Sequence, residues 1–275
     1  MNQICNLWSK IIEAKFTKFM ALFFPGAYKE IDWEQGFLFL DDQLRFINTP
    51  KIQEGCIYKL VQVEHCQKGQ VLILIHVQTS NQPDASFVQR LYTYNYRLYD
   101  IYQREVATLV VSADTSRAWR PSKFSYEQLG CNLEFSIPVN KLLDHRNRSE
   151  ELLANKNPFA IIVLAYIKAW ETQNDFRERL FWKLMLVKNL YKITEDGDSI
   201  VDVFYFINNL LALPEKLERR FLEQLEDYER LEDKPYIASL LNIGVKAGKA
   251  WLLINLFEKK LSVLDESVKQ EILKG

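Results

Sequence analysis

IYKLVQVEHCQKGQVLILIHVQ, residues 57–78, decides the fold. Two strand-like runs flank a short polar turn with a glycine, which is the pattern of a β-hairpin. The second run, 71–77, is apolar at nearly every position, as in a central strand covered on both faces. With Gln67 at the tip, Tyr58 falls opposite His76, because the two are equally far from it. Alternation along a strand then places Tyr58, His76 and Gln78 on one face. The other face carries Ile57, Val61, Val63, Val71, Ile73, Ile75 and Val77, with Lys59 as its one charged residue. That face is core, while polar groups gather at one end of the first. A register slip of one residue would exchange the two faces.

Downstream, TSNQPDAS reads as a loop leading into a helix over 86–103, with Asp84 and Ser86 as candidate caps. Phe87, Leu91, Tyr94, Leu98 and Ile101 form its apolar stripe. Arg90, Arg97 and Arg104 recur every seven residues and so lie near one line, beside Tyr92, Tyr96, Tyr99 and Tyr102. Basic and aromatic side chains together suit a nucleic-acid backbone and unstacked bases. The same pattern also arises from a solvated basic face with tyrosines at the rim of the core. EVATLVVSA, 105–113, is a short buried strand, and 117–144 reads as a loop, one or two strands and a turn at Ile137 and Pro138. Arg117 and Arg120 flank Trp119, placed either to contact phosphates or to brace this loop against the sheet.

Upstream, residues 3–24 have Ile4, Leu7, Trp8, Ile11, Ile12 and Phe16 at helical spacing, ended by Pro25 and Gly26. The next stretch, EIDWEQGFLFLDDQLRFI, is acidic and aromatic together. From Ser149 onward the pattern is helical. A helix opening at Pro158 buries Ile161, Leu164, Ala165 and Ile167 on one side, and later turns fall at Asp196 with Gly197 and at Leu213 with Pro214. Leu217, Phe221, Leu225 and Tyr228 form the stripe of a later helix whose alternating charges are a solvated face. The final segment, 235–275, is an amphipathic tail that either packs back on the chain or serves a homo-oligomer or a protein partner.

The 275 residues are 48% hydrophobic, enough for a sizeable core. Net charge is -1, so any nucleic-acid binding must come from a local basic patch rather than bulk charge. Cys5, Cys56, Cys66 and Cys131 are scattered without metal-ligand spacing and read as reduced thiols of a cytoplasmic protein. The run FMALFF comes after Lys10, Glu13, Lys15 and Lys18, which predicts an amphipathic helix and no membrane span. There is no Gly-rich phosphate loop and no G-x-S-x-G, and only His65, His76 and His145 supply imidazoles.

The hairpin and most of the chain beyond it resemble the recombination-promoting nuclease and transposase (YhgA-like, Rpn) family of the PD-(D/E)XK nuclease superfamily. The likeness runs through FLFLDDQL, FVQRLYTYNYRLYDIY, WRPSKFSYEQLGC, NPFAIIVLAYIKAW and WKLMLVKNLY. It implies an α/β fold: a PD-(D/E)XK nuclease-like core, 1–148, with a small mixed sheet flanked by helices. An all-helical half comes next, made of a helical subdomain, 149–234, and the C-terminal tail, 235–275. In the family, an Asp stands on the first hairpin strand where this chain has Tyr58, and Glu-x-Gln stands on the second where it has His76, Val77 and Gln78. Two facing carboxylates hold a divalent ion, Mg2+ or Mn2+, that activates water and stabilises charge on the attacked phosphate. Here Gln78 is kept and both carboxylates are replaced.

Three readings are open. The chain is a member with a degraded metal site that binds DNA or a partner without cutting. Alternatively it is an active metal-dependent DNA endonuclease whose site is rebuilt from His76, Gln78 and a migrated carboxylate, Asp42 or Glu30. Migration of that kind occurs in the superfamily, and imidazole can bind transition ions. The third reading is a protein-interaction module that does not touch nucleic acid.

Overall fold

A computed structural model describes residues 3–47, 56–79, 84–116, 118–193 and 197–232. The tail over 235–275, Arg117 and the turn at Asp196 lie outside these residues. The first helical stretch is broken at Lys15 into α1 (Gln3–Ala14) and α2 (Phe16–Phe23). Beyond the break Phe16 meets Trp33, Phe37 and Phe39, while Phe19 and Phe23 meet Phe159. Pro25 does not stop the chain's helical course but opens the short α3 (Pro25–Glu30), where its missing N–H costs nothing.

Three antiparallel strands come next: β1 (Phe37–Phe39), β2 (Cys56–His65) and β3 (Gly69–Gln78). The hairpin has the expected register, with Tyr58 opposite His76 and His65 opposite Gly69. Its turn closes on Gly69 at φ 76°, a conformation that L side chains rarely adopt. The chain then crosses through α4 (Phe87–Tyr102) to β4 (Val106–Ser112), parallel to β3. β5 (Lys123–Gln128) and β6 (Cys131–Ser136) form a separate hairpin. Its turn residues Leu129 and Gly130 both have positive φ, the geometry that suits the twist of a two-residue hairpin. β7 (Val139–Lys141) returns parallel to β4, so the mixed sheet has the order β1-β2-β3-β4-β7.

Both faces of this sheet are covered, which explains why β3 reads as unbroken apolar sequence. Leu60, Leu72 and Leu74 pack with Val110 and Ile137 against Phe87, Leu91, Tyr94 and Leu98 of α4. On the opposite face Lys59, 3% exposed, is bonded to Glu13 of α1 and to Asp41. A buried charge without partners is costly, so the lone lysine of that face is held by two carboxylates.

The remaining helices of this unit are α5 (Ser149–Ala154), α6 (Pro158–Glu171), α7 (Phe176–Ile193) and α8 (Gly197–Leu210). Asn157 caps α6 by accepting the Phe159 amide at 3.0 Å. The pattern predicts one buried side for α6, but it is enclosed all round except at Tyr166, from Pro158 to Lys168. Trp8 packs against Phe159, Tyr166 and Phe206, so the N-terminal helix is joined to α6 and α8. Contacts therefore run across 148/149, where the sequence pattern divides the chain, and one compact unit spans Met1–Ala212. A second unit begins at Leu213 and contains α9 (Glu215–Leu231). On α9 Phe221, Leu225 and Glu229 are buried, and Leu217 and Tyr228 are half-buried. Among the described residues no helix is long and apolar enough to cross a membrane.

Candidate functional site

The three motif positions come together at the carboxyl end of β3. Tyr58 and His76 face each other across the ladder with ring centroids 4.6 Å apart. His76 is 0% exposed and is closed over by Phe87 of α4 at 5.1 Å, with Trp119 behind Phe87 at 5.3 Å. Tyr94 meets the edge of Tyr58 at 5.5 Å. Gln78 is 3% exposed and lies between Cys56 on β2 and Ser112 on β4. The imidazole is thus walled by the rings of Tyr58 and Phe87.

Arg90 reaches this cluster from α4. It donates to Asp84 and to Tyr58, and those partners raise the guanidinium pKa despite its partial burial. Asp84 does not cap α4; its carboxylate accepts from Arg90 and from the backbone and hydroxyl of Ser86. Partial burial pulls its pKa up, but these hydrogen bonds outweigh that and leave it below the usual carboxylate range.

The residue set does not fit a hard divalent cation, which takes its ligands as oxygens. Among the described residues no group of three or more His, Cys, Asp or Glu can hold a metal ion. The two candidate replacement carboxylates are not brought to Gln78. Glu30 lies 3.5 Å from His65 at the turn end of β2. That is roughly 20 Å from Tyr58, at ~3.3 Å per strand residue. Asp42 is exposed, and its neighbour Asp41 is the one that reaches β2, accepting the Leu60 amide at 2.9 Å and pairing with Lys59.

The arginine line is also placed. Arg90, Arg97 and Arg104 are half-buried on the flank that faces β2, and Arg104 donates to Gln62 at 2.8 Å. Tyr92 lies on the other flank, against Phe124 and Phe135 of the β5–β6 hairpin. Tyr96 and Tyr99 are about half exposed, at 53% and 50%. The basic and aromatic residues thus separate onto different sides of α4 instead of forming one mixed stripe.

A second polar cluster, which the sequence pattern does not single out, sits at the carboxyl ends of β4 and β7. Asp114 is 1% exposed and Lys141 3%, and they pair at 3.2 Å. Lys141 Nζ also donates to the carbonyls of Ser116 and Trp119. The available signal was a carboxylate just past a buried strand, which requires a partner once the chain folds over it. Arg120 is gripped by both oxygens of Asp144, at 2.8 and 2.6 Å, so it is tied to the next segment and not only to its own loop.

His76 has a measurable consequence. Neither ring nitrogen has a hydrogen-bond partner among the described residues, and burial, with a smaller push from Arg90, lowers its pKa to about 3. The unfolded chain protonates this imidazole below about pH 6.5, while the folded chain does not until about pH 3. The group is thus neutral in both states at high pH, and stability falls as pH drops through 6.5, by about 2 kcal/mol at pH 5. Urea unfolding at a series of pH values should show this loss, reduced by that amount in His76→Phe. Equal pH slopes for the two proteins would contradict the sealed imidazole.

Comparison of the chain with protein-family models, with curated proteins and with solved structures gave no match.

Proposed function

We propose that the chain is a nuclease-like scaffold of the recombination-promoting nuclease and transposase family that associates with DNA and does not cut it. The observation that carries the reading is the Tyr58–His76 pair. The two residues lie opposite each other in the hairpin with ring centroids 4.6 Å apart, which supports reading them as standing where the family has facing carboxylates. The mixed sheet flanked by helices, and the helix that comes after the second motif strand, support the scaffold. The arginine line of α4, with Arg97 half-exposed, supports binding in spite of the overall charge of -1.

Binding is tested by fluorescence anisotropy with duplex DNA over a range of salt. Affinity should fall with log salt at about -0.9 per phosphate contacted, and Arg97→Glu, at a half-exposed member of the arginine line, should weaken it several-fold. Absence of binding at low salt, or affinity independent of salt, would sink the DNA part of this reading.

A further inference from the structure

We infer that the cleft beyond the carboxyl ends of β4 and β7 binds a phosphomonoester: the terminal phosphate of a free mononucleotide or of a 5′ nucleic-acid end. The inference stands whether or not the hairpin belongs to a nuclease. The cleft has a volume of about 310 Å3 and is lined by Thr115, Ser116, Arg120, Lys141, Arg146 and Trp170, among others. That is at the small end of the range for ligand clefts, ~300–1,000 Å3, and the place is where open α/β sheets take ligands.

Charge decides the ligand class. Three cations line the cleft against the one carboxylate of Asp144. The Lys141 charge is balanced by Asp114 behind it, and the Arg120 charge by Asp144. Arg148, on the neighbouring turn, is paired with Glu151. Arg146 has no carboxylate partner among the described residues; its guanidinium lies over the Trp170 ring, 5.6 Å from the centroid. A cation–π contact of this kind engages the guanidinium charge without using its N–H donors, which remain to meet the paired oxygens of a phosphate. Arg120 uses one hydrogen on each of two nitrogens for Asp144 and keeps further donors at the mouth. The hydroxyls of Thr115 and Ser116 complete a set of donors, and a rigid ion pair beneath them keeps their loop in place.

Isothermal titration calorimetry on the full chain tests this with inorganic phosphate, adenosine monophosphate, and one single-stranded oligonucleotide in 5′-phosphorylated and 5′-hydroxyl forms. The phosphorylated probes should bind, and Arg146→Gln should weaken them by at least about tenfold, the loss expected for a charge-assisted bidentate contact. Arg148→Gln is the control and should change nothing. Arg120→Gln, at an exposed position, is the second variant should Arg146→Gln lower the melting temperature, and it should lose about threefold. Binding of the mononucleotide alone assigns the free nucleotide, and binding of the phosphorylated strand as well assigns a strand end. The inference is overturned if the 5′-hydroxyl strand binds as tightly as the phosphorylated one. It is equally overturned if no phosphorylated probe binds at millimolar concentration, or if affinity survives both arginine changes. Because these probes are single-stranded and need no divalent ion, the result is separate from duplex binding or cleavage.

Discussion

Lys141→Met is expected to destabilise the chain by about 3–5 kcal/mol, the range for removing one partner of a buried ion pair. Methionine matches much of the lysine stem but leaves Asp114, 1% exposed, facing its side chain without a countercharge. It also withdraws the donor from the carbonyls of Ser116 and Trp119, the latter at 2.8 Å. Asp114 keeps its bonds from the Ser116 amide at 3.1 Å, so the carboxylate itself stays in place. Asp114→Asn in the Lys141→Met background removes the unbalanced charge and should restore part of the loss, giving a double-mutant coupling of about 1–3 kcal/mol. Urea unfolding of the unmodified chain, the two single variants and the double variant closes the cycle. A loss below about 1 kcal/mol for Lys141→Met would show that the pair behaves as a solvated one.

Trp8→Ala should cost about 5 kcal/mol. Trp8 is 0% exposed, and its ring packs on Phe206 at 5.3 Å and on Phe159 and Tyr166 at 6.2 Å. Truncation of a buried tryptophan costs ~3–5 kcal/mol through lost transfer energy and the cavity left behind. The indole N–H also donates to the Tyr166 hydroxyl at 2.9 Å. That phenol is buried, which raises its pKa, and losing its donor adds on the order of 1–3 kcal/mol. Trp8→Phe keeps an aromatic ring and loses the hydrogen bond, so it should cost about 1–3 kcal/mol. Thermal and urea unfolding distinguish the two. Equal losses would mean that the ring packing joining α1 to α6 and α8 contributes nothing.

How far the sequence could be read depended on whether a residue's role was local. The hairpin register follows from a short polar turn with Gln67 at its tip, so Tyr58 opposite His76 is available from spacing alone. The helices α4 and α6 were similarly marked by periodicity and by Pro158. The sides of α4 were not, because helical spacing places residues around an axis without saying what lies on each side. Arg104 bonding to Gln62 and Tyr92 packing on Phe124 depend on β2 and on the β5–β6 hairpin, both remote in sequence. That Asp41 and not Asp42 reaches β2 depends on one residue of turn geometry, which composition does not encode. Lys59 was visible as the misfit on an apolar face, but its partners Glu13 and Asp41 come from separate elements. The Asp114–Lys141 pair is likewise assembled only when β7 joins the sheet beside β4.

On the proposed reading, Tyr58 and His76 pack where the family's metal-binding carboxylates would stand. The most direct test of that reading is conversion of supercoiled plasmid to nicked or linear forms with Mg2+ or Mn2+, against EDTA controls. The double change Tyr58→Asp with His76→Glu, which returns the carboxylates, is run beside the unmodified protein. The account predicts no metal-dependent conversion by the unmodified chain at any concentration at which it is folded. Metal-dependent cutting by the unmodified chain that disappears on His76→Ala would contradict it.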